Sequence, residues 1–462
     1  MMKLHNLREV DWQNRLCSGP PLVCETSTCV KAGKRLTILF VLLGSLIGAQ
    51  ASSANSLNLD RGSGMPLDSS GSQGGFPTIA ASSFGFQCGT GRPTNCPNVT
   101  WPTSVAQPGT IRLWDSQVQW HALQTGNGTY KWRILDGYLD AIAAHQPRDA
   151  MYTFGYTPCS HTKGQCDMRW GSASPPDDLS AKGSPSFITF VTDLVSHCSP
   201  AGHCVKDYIK YWEMWNEPNL PHFWNGSVSE LYQLVAPAVP IIRSKVPGAV
   251  ILTPPVTIGD TRWMQNWLEQ ENKGRLSDIY SIHLYLHADT PETRFNIIKK
   301  MVDLKKNTAG WSDTPWIDSE TNFDPGKFAC DEKFTPDDCI GQMVRWHLLQ
   351  FAYGAQQVNW YYFNTTIGRN PDYSNAYKKM MDWLVGGHFT AACSAKGDVY
   401  TCPFIAANGH HALFAWTVSG KNMYTPAAQY VGYKDLDGNS ATLSPGRPVA
   451  IGVKPIIFEA AN

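Results

Sequence analysis

Two glutamates in this 462-residue chain each close an apolar run. Glu217 ends YIKYWEMWNE (208 to 217), directly before a proline, and Glu320 ends TPWIDSE (314 to 320). Around Glu217 stand Tyr211, Trp212, Trp215 and Trp224, and such low-dielectric surroundings favour the neutral form of a carboxyl group. Two carboxyl groups in unlike environments are the machinery of glycosidic bond cleavage: one keeps its proton for the leaving oxygen while the other attacks or activates water. On this reading Glu217 is the acid and Glu320 its counterpart. Two neighbours compete for the roles. Glu213 lies on the run of Glu217, and Asp318, two residues before Glu320 and so on the same strand face, reads as a core partner.

Positioning such a pair requires elements whose ends converge. Eight short apolar runs occur, FGFQC (84 to 88), TIRLWD (110 to 115), AMYTFGY (150 to 156), YIKYWEMWNE, AVILTPP (249 to 255), IYSIHLYLH (279 to 287), TPWIDSE and VNWYYFN (358 to 364). Amphipathic stretches with helical spacing separate them, for example KWRILDGYLDAIAAH and IGQMVRWHLLQFAYGA. This eightfold alternation predicts an α/β fold, a (β/α)8 barrel over 76–387. An open doubly wound sheet is disfavoured because no glycine-rich phosphate loop follows an early run. Glu217 ends the fourth run and Glu320 the seventh, strands that face each other across a barrel mouth. Beyond Gly387 the helical period stops, and Asp437-Gly438 marks a hairpin, predicting a small antiparallel β-sandwich over 388–462. A strand from before Gly75 is a candidate to complete it.

The start of the chain reads as an address. Lys31, Lys34 and Arg35 precede a 14-residue apolar run, Leu36 to Ala49, and Ala49-Gln50-Ala51 has the small-x-small form of a cleavage site. Residues 1–51 thus read as a leader, a signal peptide or a signal anchor, and 52–75 as a Ser/Gly-rich linker. Ten of the thirteen cysteines lie beyond that site in five close couples: Cys88 with Cys96, Cys159 with Cys166, Cys198 with Cys204, Cys330 with Cys339, and Cys393 with Cys402. Such couples predict loop-stapling disulfides and a secreted or periplasmic location. A zinc reading of CSHTKGQC fails for want of a short knuckle and a second ligand pair, so neither metal nor cofactor is expected. The 38 basic and 38 acidic residues balance, which gives no reason to expect nucleic acid, and a membrane enters only if the leader stays uncleaved. Seventeen Trp with eighteen each of Tyr and Phe exceed what a core needs and suit stacking against sugar rings, so a poly- or oligosaccharide is the expected partner.

YWEMWNEPNLPHFW (211 to 224) resembles the fourth-strand signature of clan A glycoside hydrolases, and its W-N-E-P-N-x-x-x-F-W form is most similar to glycoside hydrolase family 39. SIHLYLH is similar to the sixth-strand T-H-x-Y-P of that family, with Ile282 and Leu286 in place of Thr and Pro. IDSETNF matches the seventh-strand glutamate, with Thr321 where the family often has Trp. The resemblance implies a retaining mechanism with Glu217 as acid/base, Glu320 as nucleophile and Asn216 as partner of the neighbouring sugar hydroxyl. It implies too that Arg112 lies near the nucleophile and that Trp360 stacks on sugar. His283 and Tyr285, alternate residues of one strand, are expected to hold Glu320. The competing reading is a non-catalytic carbohydrate-binding protein on a hydrolase-like barrel.

Overall fold

The structure, a computed structural model, describes residues 76–87, 108–126, 128–145, 149–363, 366–368 and 370–461. The leader, the linker, the Cys88 and Cys96 couple and any completing strand before Gly75 lie outside these residues.

Eight parallel strands form one sheet: β1 (Phe84–Phe86), β2 (Thr110–Leu113), β3 (Asp149–Thr153), β4 (Ile209–Glu213), β5 (Val250–Leu252), β6 (Tyr280–His283), β7 (Trp316–Thr321) and β8 (Ala355–Trp360). They run in the order β5-β4-β3-β2-β1-β8-β7-β6. Parallel bridges Leu252 with Ile279 and Val256 with Ile282 join β5 to β6 and bring the ring to near closure. Helices follow the strands: α1 (Arg133–Ala144), α2 (Pro185–Ser196), α3 (Val228–Val235), α4 (Ala238–Lys245), α5 (Thr261–Glu271), α6 (Pro291–Asn307), α7 (Pro336–Phe351) and α8 (Pro371–Leu384). Local chemistry sets their starts. Ser184, Thr290, Thr335 and Asn370 each accept a backbone N–H at the head of a helix whose first residue is proline, which has no N–H to leave unpaired.

Alternation along the strands gives the barrel an outer and an inner face. Phe84, Phe86, Ile111, Leu113, Tyr152 and Trp212 are buried in the main hydrophobic core with residues of the helices. Inside, Met151, Tyr211, Leu252, Ile279 and Ile317 fill an apolar layer near the strand starts. Two residues further along the same strands the interior turns polar, with Thr153, Glu213, Ser281 and Ser319, all fully buried. Burying polar groups is costly unless they bond to one another, and here they do so directly beneath the mouth.

The C-terminal region is antiparallel. Its strands are β9 (His388–Phe389), β10 (Ser394–Lys396), β11 (Val399–Ile405), β12 (His411–Thr417), β13 (Asn422–Tyr424), β14 (Tyr430–Lys434), β15 (Ser440–Thr442), β16 (Val449–Ile451) and β17 (Ile456–Ala460). The main sheet runs β9-β11-β12-β17-β14-β15, with β10 paired to β11, and the β13-β16 ribbon packs over it through Tyr424 and Phe458. Against the barrel, Trp416 Nε1 donates to Glu292 Oε1 at 2.7 Å, and Arg345 from α7 pairs with the same carboxylate at 3.2 Å. Among the described residues the four cysteine couples are bonded, Cys159–Cys166, Cys198–Cys204, Cys330–Cys339 and Cys393–Cys402. Each closes a loop of fewer than ten residues. No helix among the described residues is long and apolar enough to cross a membrane.

Candidate active site

All nine described non-glycine residues with positive φ lie in loops that follow barrel strands: Asp115, Gln117, Tyr156, Trp215, Glu217, Ile258, His287, Phe328 and Tyr362. Backbone held in sparsely populated regions costs energy and persists where the surroundings demand it, which marks this end of the barrel as the site. Glu217 itself has φ 41°. Its turn is braced by Trp215, whose Nε1 donates to the Phe223 carbonyl at 2.9 Å and whose ring meets Trp224 edge to face. Both tryptophans are buried, so they are scaffold for the turn and not walls of a sugar site.

Arg112, fully buried on β2, organises the centre with all five of its N–H donors. Nε and Nη2 donate to Glu213 Oε2 at 2.9 and 2.5 Å, Nη1 to Gln87 Oε1 at 2.8 Å and to Glu320 Oε2, and Nη2 also to Asn216 Oδ1 at 2.8 Å. Burial alone would lower the pKa of the guanidinium, but the carboxylates of Glu213 and Glu320 raise it and keep the charge fixed. Glu213 is therefore the internal counter-ion, with Thr153 Oγ1 and Ser281 Oγ as further donors at 2.8 and 3.1 Å. One sign of this role is legible in the sequence: two residues after inward-facing Tyr211, strand alternation turns Glu213 inward as well.

Glu320 reaches the mouth through a break in that alternation. On β6, Ile282 and His283 pair with Asp318 and Glu320, and on β8, Val358 and Trp360 pair with Asp318 and Thr321, so β7 carries one extra residue between Asp318 and Thr321. A bulge re-aims the following side chain. Ser319 faces inward, Glu320 also turns into the barrel, and Asp318 is left on the helix side beside Gln350 of α7. The expectation that Asp318 and Glu320 share a face thus fails, and Asp318 is no partner within the barrel interior.

The hydroxyl of Tyr285 donates to Glu320 Oε1, as expected. His283 departs from expectation. Its Nδ1 lies 2.9 Å from Glu217 Oε1 and its Nε2 3.0 Å from Ser319 Oγ, so it serves Glu217 and not Glu320. Tyr285 stands beyond the end of β6, where strand alternation no longer fixes one shared face. Trp360 is also a correction. Its ring is fully buried, stacked on His347 of α7 at 5.7 Å and edge-on to Phe323, because its place on β8 points it outward. The next residue, Tyr361, turns toward the mouth instead, and its hydroxyl donates to Asp115. Asp115 did not stand out in the sequence as a site residue, and Tyr156, whose phenol feels the charges of Asp115 and Glu217, carried no signal at all.

Oxygens of Glu217 and Glu320 and a ring nitrogen of His283 all lie within 4.8 Å of one another. Both ring nitrogens of His283 make hydrogen bonds within this network, Nδ1 to Glu217 and Nε2 to Ser319. Glu217 is 7 % and Glu320 6 % exposed, whereas Glu213 is sealed, so only the first two touch the cleft. Burial, then the charge of Glu320, hold the carboxyl of Glu217 well above the usual range, against the opposing pull of Arg112 and the Thr257 hydroxyl. Glu320 is also raised by burial, but Arg112 and the Tyr285 hydroxyl favour its charge. Both carboxyl groups are thus held above their ordinary range, Glu320 at about 7, and the direct hydrogen bonds from Arg112 and Tyr285 favour the charged form at Glu320. Burial, with the charge of Arg112, holds His283 well below its ordinary pKa, and the ring is neutral. The amide nitrogen of Asn216, whose oxygen is taken by Arg112, remains to donate.

No protein-family model matches the chain. A β-xylosidase of Geobacillus stearothermophilus is 28% identical over 183 residues, 39% of this chain and 34% of that protein, so the chain matches about a third of the length of its curated relative. Among solved structures, a glycoside hydrolase family 30 subfamily 8 xylanase from Clostridium acetobutylicum superposes with a TM-score of 0.57 at 12% identity, covering 84% of this chain and 97% of the other. The catalytic domain of a family 30 xylanase C from Talaromyces cellulolyticus gives 0.51 at 11% identity, covering 84% and 98%. The chain shares its barrel fold with these two glycoside hydrolase structures.

Proposed function

We propose that the chain is a retaining glycoside hydrolase of clan A, most like family 39, acting on the O-glycosidic bonds of a poly- or oligosaccharide. The observation that carries this reading is the approach of Glu217 and Glu320 to within 4.8 Å across the mouth, with a ring nitrogen of His283 beside one and the positive charge of Arg112 beside the other. Carboxyl groups about 5 to 5.5 Å apart leave no room for a water between them, so the second attacks directly. Glu320 forms a bond to the anomeric carbon while Glu217 passes its proton to the departing oxygen. Glu217, now a carboxylate, then takes a proton from water, whose oxygen displaces Glu320 and restores the starting configuration. Arg112 and Tyr285 hold the attacking oxygens in line, and Asn216 supplies a donor for the adjacent hydroxyl. The four disulfides support an exported protein working in an oxidising compartment.

The weak likeness to a β-xylosidase makes aryl β-xylosides the first members of an assay panel, followed by other aryl glycosides and polysaccharides. Turnover of at least one is expected. Sugar affinity without turnover would favour the carbohydrate-binding reading, and neither affinity nor turnover would overturn both.

A further inference from the structure

The turn that follows β5 is built against its own sequence. The Asp260 N–H donates back to the Thr257 carbonyl at 3.3 Å, and the two residues between them, Ile258 and Gly259, both have positive φ, 54° and 70°. Tight turns with two such residues call for Asn-Gly, Asp-Gly or Gly-Gly, because in that region Cβ crowds the following carbonyl and a branched Cβ crowds it most. Gly259 fits the turn. Ile258 does not, and among the described residues it is the only β-branched one with positive φ. Packing does not offset the strain, since Ile258 is 61 % exposed. The other exposed large hydrophobic side chains, Met168, Trp170, Met423 and Val431, are absent from the positive-φ positions. A lone apolar side chain on a surface is ordinary, but one held there on strained backbone is not.

The turn is tied to the Glu217 end of the cleft. The Val256 carbonyl accepts from the His283 N–H at 3.1 Å, and Thr257 exchanges two backbone-to-side-chain hydrogen bonds, at 3.2 and 3.3 Å, with Asn219, two residues beyond Glu217. The Thr257 hydroxyl itself lies against the Glu217 carboxyl group. A general acid must stand beside the oxygen that departs, on the opposite side of the broken bond from the nucleophile. The departing unit therefore lies along this turn, and the side chain next to Thr257 is Ile258. We infer that Ile258 is a specificity-determining residue of a leaving-group subsite, where it offers an apolar patch to the C–H face of the first ring beyond the cleaved bond. The inference rests on the glycosidase reading with Glu217 as the acid, and it adds a residue outside the reacting pair. Sites for such ligands are walled by apolar side chains and oriented by a few polar ones, and the turn supplies the former next to the latter.

The test is Ile258→Asn, the residue such a turn prefers, beside Ile258→Val, which keeps an apolar branched side chain. Two substrates of whichever sugar the wild type hydrolyses are compared, an aryl glycoside, whose leaving group fills the subsite, and the glycosyl fluoride, whose leaving atom does not reach it. In Ile258→Asn the ratio of kcat/KM on the aryl glycoside to that on the fluoride should fall about three- to tenfold, the worth of part of one aliphatic side chain taken from water. The thermal midpoint of the same variant should stay level or rise, because strain is released and little packing is lost. Ile258→Val should keep the wild-type ratio, and Ile258→Gly, which fits the turn with no side chain, should repeat the result of Ile258→Asn. An unchanged ratio in Ile258→Asn and Ile258→Gly would overturn the inference and leave the glycosidase reading intact. So would a lowered midpoint in both, which would make Ile258 a packing residue. A wild-type protein inactive on every aryl glycoside, polysaccharide and glycosyl fluoride would overturn the reading and the inference together.

Discussion

Glu320→Ala is expected to lose roughly 10⁵-fold in kcat, since a covalent route has no substitute once its nucleophile is gone. The loss should be reversible by chemistry and not by refolding. Alanine leaves a space beside Arg112 Nη1 and the Tyr285 hydroxyl, two donors that now face no acceptor. Azide is small and anionic, fits that space, and attacks the anomeric carbon from the face Glu320 used. With an activated aryl glycoside the product is a glycosyl azide of inverted configuration, because only one displacement takes place. Chromatography and NMR of the product check this. A variant with full activity would remove Glu320 from the mechanism.

Glu217→Ala should behave differently, because the attacking carboxylate survives. Its loss should depend on the leaving group, small for dinitrophenol and about 10²- to 10⁴-fold for alkoxides, the range ascribed to general acid–base assistance. Once the glycosyl-enzyme forms, azide intercepts it and the second displacement gives an azide of retained configuration. The pH profile should change in the same sense. In the wild type, activity falls as pH rises through the raised pKa of Glu217, and in the variant that basic limb disappears for good leaving groups. An inverted azide from this variant together with a retained one from Glu320→Ala would exchange the two roles.

What the sequence showed of this site, and what it hid, follows from the range of the interactions involved. The eight runs, their helical spacers and the positions of Glu217 and Glu320 at the fourth and seventh run ends are local patterns, and the barrel follows from them. The bulge in β7 is not local. It exists because β6 and β8 both pair with β7 around one extra residue, and alternation read through WIDSET alone puts Glu320 on the wrong face beside Asp318. The same limit explains Trp360, whose outward face is set by its pairing with Thr321, and His283, whose partner is decided by the turn that lifts Glu217 to φ 41°. Family likeness supplied residue types at Arg112, Asn216 and Tyr285 that meet as expected. It did not supply Glu213, whose part as the buried partner of Arg112 appears only in the hydrogen bonds of the barrel interior.

Most direct for the central claim is the identity of the atom that bonds to sugar. An activated 2-deoxy-2-fluoro glycoside of whichever sugar the wild type hydrolyses slows the second displacement more than the first, so the glycosyl-enzyme accumulates. Intact mass should rise by one fluoroglycosyl group per chain, and peptide mapping should place that group on Glu320 within WIDSET. A label on Glu217, on Asp318 or on any other residue, or hydrolysis that proceeds with no covalent adduct and with inversion at the anomeric carbon, would contradict the account.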